Sequence, residues 1–169
     1  MGTAVARLLL DRTDRPSTLI LADRDPGALA SAVGNLPAFA DIRTVTCDVS
    51  DEDAVTALFA AAAEAGRVTR VVHGAGVLGP GVFVAETGTD DFDRVFAVNA
   101  RGTFLVTRAA ARVMTAQGRQ GENALTDRAI TVIASNAAGI PRHGMGVYAA
   151  SQAAASAVTR SLGLEVAAE

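Results

Sequence analysis

The chain has 169 residues, half of them hydrophobic and few of them aromatic, with a formal net charge of −3. That length supports a single domain with a real core. The mild acidity leaves no basic stripe for nucleic acid, no apolar run of about 18 residues offers a membrane span, and the N-terminus lacks the pattern of a secretory signal.

Thr3 to Asp11 reads as a helix and Thr18 to Ala22 as a short buried strand. Pro26 to Val33 is the next helix, with Asp25 as its N-cap and Pro26 in its first turn. Ile42 to Cys47 is strand-like, and Asp51 to Glu64 is a helix whose acidic first turn suits the helix dipole. Cys47 is the only cysteine. It excludes an internal disulfide, makes a reducing cytoplasm the expected compartment, and reads as a small core residue rather than a nucleophile. Arg70 to His73 is a strand that enters a Gly-rich turn. Asp90 to Met114 is a long helical stretch, Gln117 to Asp127 an exposed loop, Ala129 to Ala134 a strand and Val147 to Ala168 a helix. Short apolar strands alternating with helices predict an α/β fold with a parallel sheet covered on both faces.

The segment Ser135 to Glu165 carries the sharpest signal: S-N-A-A-G-I-P-R-H-G-M-G-V-Y-A-A-S-Q-A-A-A-S-A-V-T-R-S-L-G-L-E. A strand ends near Ser135, a loop follows, and Tyr148 opens an Ala-rich helix. This resembles the active-site half of a short-chain dehydrogenase/reductase, whose catalytic Ser and Tyr stand thirteen residues apart, as Ser135 and Tyr148 do. The family requires a lysine four residues after the tyrosine, and here that position is Gln152.

The resemblance implies a doubly wound, Rossmann-like parallel sheet. It also implies that residues 1–169 are a single incomplete NAD(P)-binding domain. The family starts with a strand and a T-G-x-x-x-G-x-G turn that holds the cofactor pyrophosphate. This chain begins M-G-T-A-V-A-R, with Gly2 at the place of the last glycine. The first strand and the last two strands of the order 3-2-1-4-5-6-7 are therefore expected to be missing. Strands at Thr18 to Ala22 and Arg70 to His73 lose their shared central neighbour, and Ala129 to Ala134 becomes an open edge. The chain alone is expected to be marginal, aggregation-prone or completed by a partner.

Asp23 stands about twenty residues after the glycine turn, where a carboxylate accepts hydrogen bonds from both ribose hydroxyls and repels a 2′-phosphate. That favours NAD over NADP, although Arg24 beside it is able to bind such a phosphate. The alternative for Asp23 is a capping or loop role. Asp48 matches the position beside the adenine ring, caps the next helix, or does both. His73-Gly74-Ala75-Gly76 stands where the family has N-N-A-G. Gly74, Ala75 and Gly76 are the cofactor-binding candidates, and His73 reads as structural. Asn99 matches the asparagine at a break in the fourth helix, where the family holds a water. Gln152 retains the ability to hydrogen-bond a ribose hydroxyl.

In the family, the serine donates to the substrate oxygen and the tyrosine exchanges the hydroxyl proton while hydride moves to or from the nicotinamide. A free tyrosine titrates near pH ~10. A lysine ammonium about 5 Å away, at an effective dielectric near 20, favours phenolate by roughly 3 kcal/mol. A neutral glutamine supplies no such shift.

The run S-N-A-A-x-x-P-R-x-G-M-x-x-Y-x-A-S-x-A-A, followed by L-G-L-E, resembles more narrowly the 2,3-dihydro-2,3-dihydroxybenzoate dehydrogenases of catechol-siderophore biosynthesis. Those oxidise a carboxylated cyclohexadiene diol with NAD. Arg142 then binds the substrate carboxylate or is a solvated loop residue, and Met145 packs on the ring or fills a gap. His143 reads as exposed. No metal is expected. The resemblance implies a homodimer or homotetramer through the helices at 101–114 and 147–168; the alternative is packing on the sheet, and one helix can do both. Two rivals stay open: a catalytically impaired relic or interaction module of the same fold, and a dehydrogenase for another secondary alcohol.

Overall fold

The computed structural model describes residues 1–12, 16–37, 41–118 and 128–167. Most of the expected loop at 117–127 lies outside these residues, as does the expected helix end at Ala168. The chain forms two compact units, Met1–Arg67 and Val68–Glu169.

The first unit runs α1 (Gly2–Leu10), β1 (Thr18–Asp23), α2 (Pro26–Gly34), β2 (Asp41–Thr46) and α3 (Glu52–Ala65). β1 and β2 are parallel, in register from Thr18↔Asp41 to Asp23↔Thr46. Asp25 caps α2 as expected, accepting from the backbone N–H of Gly27 at 2.8 Å and of Ala28 at 3.1 Å. Asp51 does the same for α3, accepting from Asp53 and Ala54. Gly66 ends α3 with φ 145°, a conformation that a side chain disfavours. Leu10, Leu29, Cys47, Val55 and Phe59 form the buried core of this unit.

The second unit runs β3 (Arg70–His73), α4 (Thr89–Phe96), α5 (Gly102–Gly118), β4 (Ala129–Val132) and α6 (Gly146–Ala167). β3 and β4 are parallel, from Arg70↔Ala129 to His73↔Val132. The helical stretch expected over 90–114 is interrupted by a π turn, Ala97–Arg101, between α4 and α5, at the break that the resemblance put at Asn99. The expected strand at 129–134 ends at Val132, with one further bond from the Ile133 N–H to the His73 carbonyl. Val95, Leu105, Val106, Ala110, Met114 and Ala155 form the core.

The four described strands take the places of strands two to five of the expected doubly wound order. The first strand and the last two are absent among the described residues, and each sheet has two strands. No residue of β1 or β2 is fully buried, and His73 alone is buried in β3. Two-stranded sheets are marginal in water. The 169-residue chain expressed alone is therefore expected to melt broadly and to bind a hydrophobic dye at room temperature. A sharp calorimetric transition of a soluble monomer would contradict this.

Candidate active site

In the second unit, β3 delivers the chain into an exposed loop at Gly74, Ala75 and Gly76. A Cβ on Gly74 would lie 3.2 Å from Ile133 Cδ1, and one on Gly76 3.3 Å from Asn99 Oδ1. The loop thus lies against Ile133, just after β4, and against the π turn.

Asn99 sits in that π turn and is buried. Its Oδ1 accepts from the Val77 N–H at 2.8 Å, and its Nδ2 donates to the Val77 carbonyl at 2.9 Å. Nδ2 also donates to Ser151 Oγ at 3.0 Å. Ser151 is fully buried, and its hydroxyl donates to the Tyr148 carbonyl at 2.8 Å. One asparagine therefore ties the loop after β3 to the first turn of α6. Sequence reasoning missed Ser151. Its signal was a serine three residues after Tyr148, where a helical hydroxyl reaches back to the backbone.

Ser135 follows β4 in extended backbone, and its Oγ accepts from the Ala137 N–H at 3.2 Å. It caps the short 3₁₀ turn Asn136–Ala138, against which α6 packs. That bond uses a lone pair and leaves the hydroxyl proton for another acceptor. Tyr148 is half-buried in the first turn of α6. Gln152 follows one turn later and is 7% exposed.

Arg142 is exposed, and its Nη1 donates to Asn136 Oδ1 at 3.0 Å. Met145 is half-buried in the same loop, and its N–H donates to the Arg142 carbonyl at 3.3 Å. Gly144 has φ 68°, and a Cβ there would lie 2.7 Å from the Gly81 carbonyl oxygen. A Cβ on Gly146 would collide with Val84. The loops at 78–86 and 140–146 thus close on each other, and exposed His143 meets the Phe83 ring edge-on at 6.1 Å between centroids.

In the first unit, Gly2 opens α1 and would meet nothing on gaining a Cβ. Asp23 is exposed at the end of β1, where its Oδ1 accepts from the Asp25 N–H at 3.0 Å. Asp48 accepts from the Ser50 hydroxyl at 2.7 Å and the Ser50 N–H at 2.9 Å. Those bonds, with the Arg24 charge adding to them, hold its carboxyl below the usual carboxylate range. Asp51 and not Asp48 caps α3, so the capping alternative for Asp48 is corrected. The bond from the Cys47 N–H to the Asp23 carbonyl, at 2.9 Å, continues the ladder and brings Asp23 and Asp48 to the same end of the strand pair. Cys47 itself is buried, and burial first, then Asp48 and Asp51, push its thiol up. It behaves as a core residue.

His73 is buried, and its Nε2 lies 3.1 Å from Thr103 Oγ1. Burial alone pushes its imidazole below the usual histidine range. The unfolded chain therefore binds this proton more readily than the folded one. Stability is full above pH ~6.5 and falls below it, by up to about 1.4 kcal/mol per pH unit until folded His73 also titrates. Chemical unfolding at pH 7 and 5.5 checks this. The wild type is expected to lose more stability than His73→Gln, whereas equal losses would contradict it.

The sequence model described as short chain dehydrogenase matches residues 1–169. The chain is 33% identical over 169 residues to 2,3-dihydro-2,3-dihydroxybenzoate dehydrogenase of Bacillus subtilis, across 99% of this chain and 60% of that protein. Among solved structures, a short-chain dehydrogenase/reductase from Burkholderia phymatum in complex with NAD is similar with a TM-score of 0.82 and 34% identity. The match covers 95% of this chain and 55% of that one. An NAD+-bound xylitol dehydrogenase gives a TM-score of 0.86 at 26% identity, over 99% of this chain and 62% of that one. The chain thus spans about three-fifths of the length of these relatives. The serine turn, the anchored tyrosine helix and the full-length family match together make this chain a member of the short-chain dehydrogenase/reductase family.

Proposed function

We propose that the chain carries the nucleotide-binding and catalytic residues of an NAD-dependent dehydrogenase for a cyclic secondary alcohol. The reaction is most like the oxidation of 2,3-dihydro-2,3-dihydroxybenzoate to 2,3-dihydroxybenzoate. The observation that carries this is the Ser135 turn packed on the helix of Tyr148, with Asn99 and Ser151 holding that helix to the loop after β3.

The residues present fit the nucleotide. An exposed carboxylate at Asp23 with one oxygen engaged locally leaves the other for a ribose hydroxyl, and favours NAD over NADP. Asp48 lies at the same strand end, which suits contact with the adenine, and Gly2 opens a helix whose N-terminus suits a phosphate. Gly74, Ala75 and Gly76 offer exposed backbone, and Gln152 offers an amide to a ribose hydroxyl. When bound, NAD supplies the hydride acceptor.

Tyr148, as its phenolate, takes the proton of the substrate hydroxyl as the carbinol hydrogen leaves with the C–H electron pair and the carbonyl forms. Ser135 donates to the same oxygen through its unused proton. Asn99 supports both by fixing the first turn of α6. Arg142, held by Asn136, pairs with a substrate carboxylate through its remaining N–H groups, and Met145 packs on the ring. Arg142→Lys is expected to raise KM for a carboxylated diol roughly tenfold while leaving KM for NAD unchanged. Equal KM for both substrates in the variant and wild type would remove the carboxylate from the reading.

Residues 1–169 serve as one incomplete NAD(P)-binding domain that pairs as a homodimer or homotetramer through the helices at 101–114 and 147–168. In support, Phe104 is exposed on α5 with the Arg108 guanidinium 4.9 Å above its ring. Among the described residues no helix is long and apolar enough to cross a membrane. The second reading, an impaired member that binds nucleotide without turnover, rests on Gln152. Assaying NADH formation with carboxylated diols and with neutral alcohols separates these readings and tests the substrate class.

A further inference from the structure

Four buried polar side chains of the second unit, His73, Thr103, Asn99 and Ser151, form one continuous chain, and its far end is a residue that the proposed mechanism leaves unused. Thr103 Oγ1 lies 2.6 Å from the Asn99 carbonyl oxygen. A carbonyl only accepts, so the single hydroxyl proton of Thr103 is committed to it. Thr103 Oγ1 then has only lone pairs to offer His73 Nε2 at 3.1 Å, so the imidazole is the donor.

We propose that His73 is a positioning residue, present as its Nε2–H tautomer, that fixes Asn99 through Thr103. This rests on the reading of Asn99 as a support of the active site. The Nε2–H of His73 orients the Thr103 hydroxyl, the hydroxyl holds the Asn99 main chain, and the Asn99 amide holds the Val77 segment and Ser151. Ser151 holds the Tyr148 carbonyl. All four side chains along the path are buried. A group left without its partner there bears the full desolvation penalty.

Nitrogen NMR of the full chain labelled in histidine tests the tautomer directly. The chain has two histidines, so a His143→Gln control assigns the His73 signals. At pH 7.5 the expected result is a protonated Nε2 and a bare Nδ1. An Nδ1–H tautomer or a mixture of the two would overturn the proposal.

Substitutions test the coupling, with NADH fluorescence as the probe. A glutamine amide reaches the place of Nε2, whereas an asparagine amide reaches only that of Nδ1. His73→Gln is expected to keep NADH affinity within about threefold, and His73→Asn and Thr103→Val each to weaken it roughly tenfold. The Asn/Val double variant is expected to be no weaker than either single one. Equal affinity of the Gln and Asn variants, or a silent Thr103→Val, would overturn the role. A wild type that binds no NADH would instead count against the nucleotide reading, and the tautomer result would still decide the bond.

Discussion

Tyr148→Phe is expected to abolish alcohol oxidation, with turnover falling at least about 100-fold, while NADH affinity stays within a factor of about two. The change deletes one oxygen and keeps the ring. The contacts that hold this turn involve the Tyr148 backbone: Ser151 donates to its carbonyl, and Gly79 would place a Cβ 3.9 Å from its N and Cβ atoms. Neither depends on the phenol. A loss of turnover without loss of binding therefore isolates the proton transfer from the packing. Retained turnover would mean that another group takes the proton.

Gln152→Lys is expected to raise turnover more than tenfold and to extend activity toward lower pH. Gln152 lies one helical turn after Tyr148, where an ammonium would favour the phenolate by roughly 3 kcal/mol at an effective dielectric near 20. The position is 7% exposed, so burying the new charge offsets part of that gain. The balance is nearer tenfold than the hundredfold that the Coulomb term alone would give. Gln152→Met, of similar length and without a charge, is the control and is expected to give no increase. An unchanged rate in the lysine variant would mean that Tyr148 is activated in another way.

Local chemistry was the most legible part of the chain. The Asp25-Pro26 pair announced α2, and the four residues Arg70–His73 formed the strand expected of them. The placement of Tyr148 near the start of a long helix followed from the spacing after Ser135 and from the family resemblance. Features that depend on a distant partner were not legible. The apolar run after Ala129 continues to Ala134, but its partner strand ends at His73, and β4 stops at Val132 with it. The run from Asp90 to Met114 keeps a helical pattern throughout, so only the family resemblance, which put Asn99 at a helix break, pointed to the π turn that buries it. The bonds of Asn99 to Val77 and Ser151 cross 22 and 52 residues of sequence, which no periodicity reports. His73 at the end of a strand gave no sign of Thr103, 30 residues on. Asp48 was ambiguous for a local reason: Asp48 and Asp51 both precede α3, and only the hydrogen bonds show that Asp51 caps it.

The most direct measurement is NADH formation from NAD and 2,3-dihydro-2,3-dihydroxybenzoate, with the wild type, Gln152→Lys and Tyr148→Phe assayed side by side. The expected result is slow turnover in the wild type, faster turnover in the lysine variant and none in the phenylalanine variant. Saturable NADH binding with no turnover of this diol or of any neutral secondary alcohol, in either the wild type or Gln152→Lys, would contradict a dehydrogenase and leave a nucleotide-binding module.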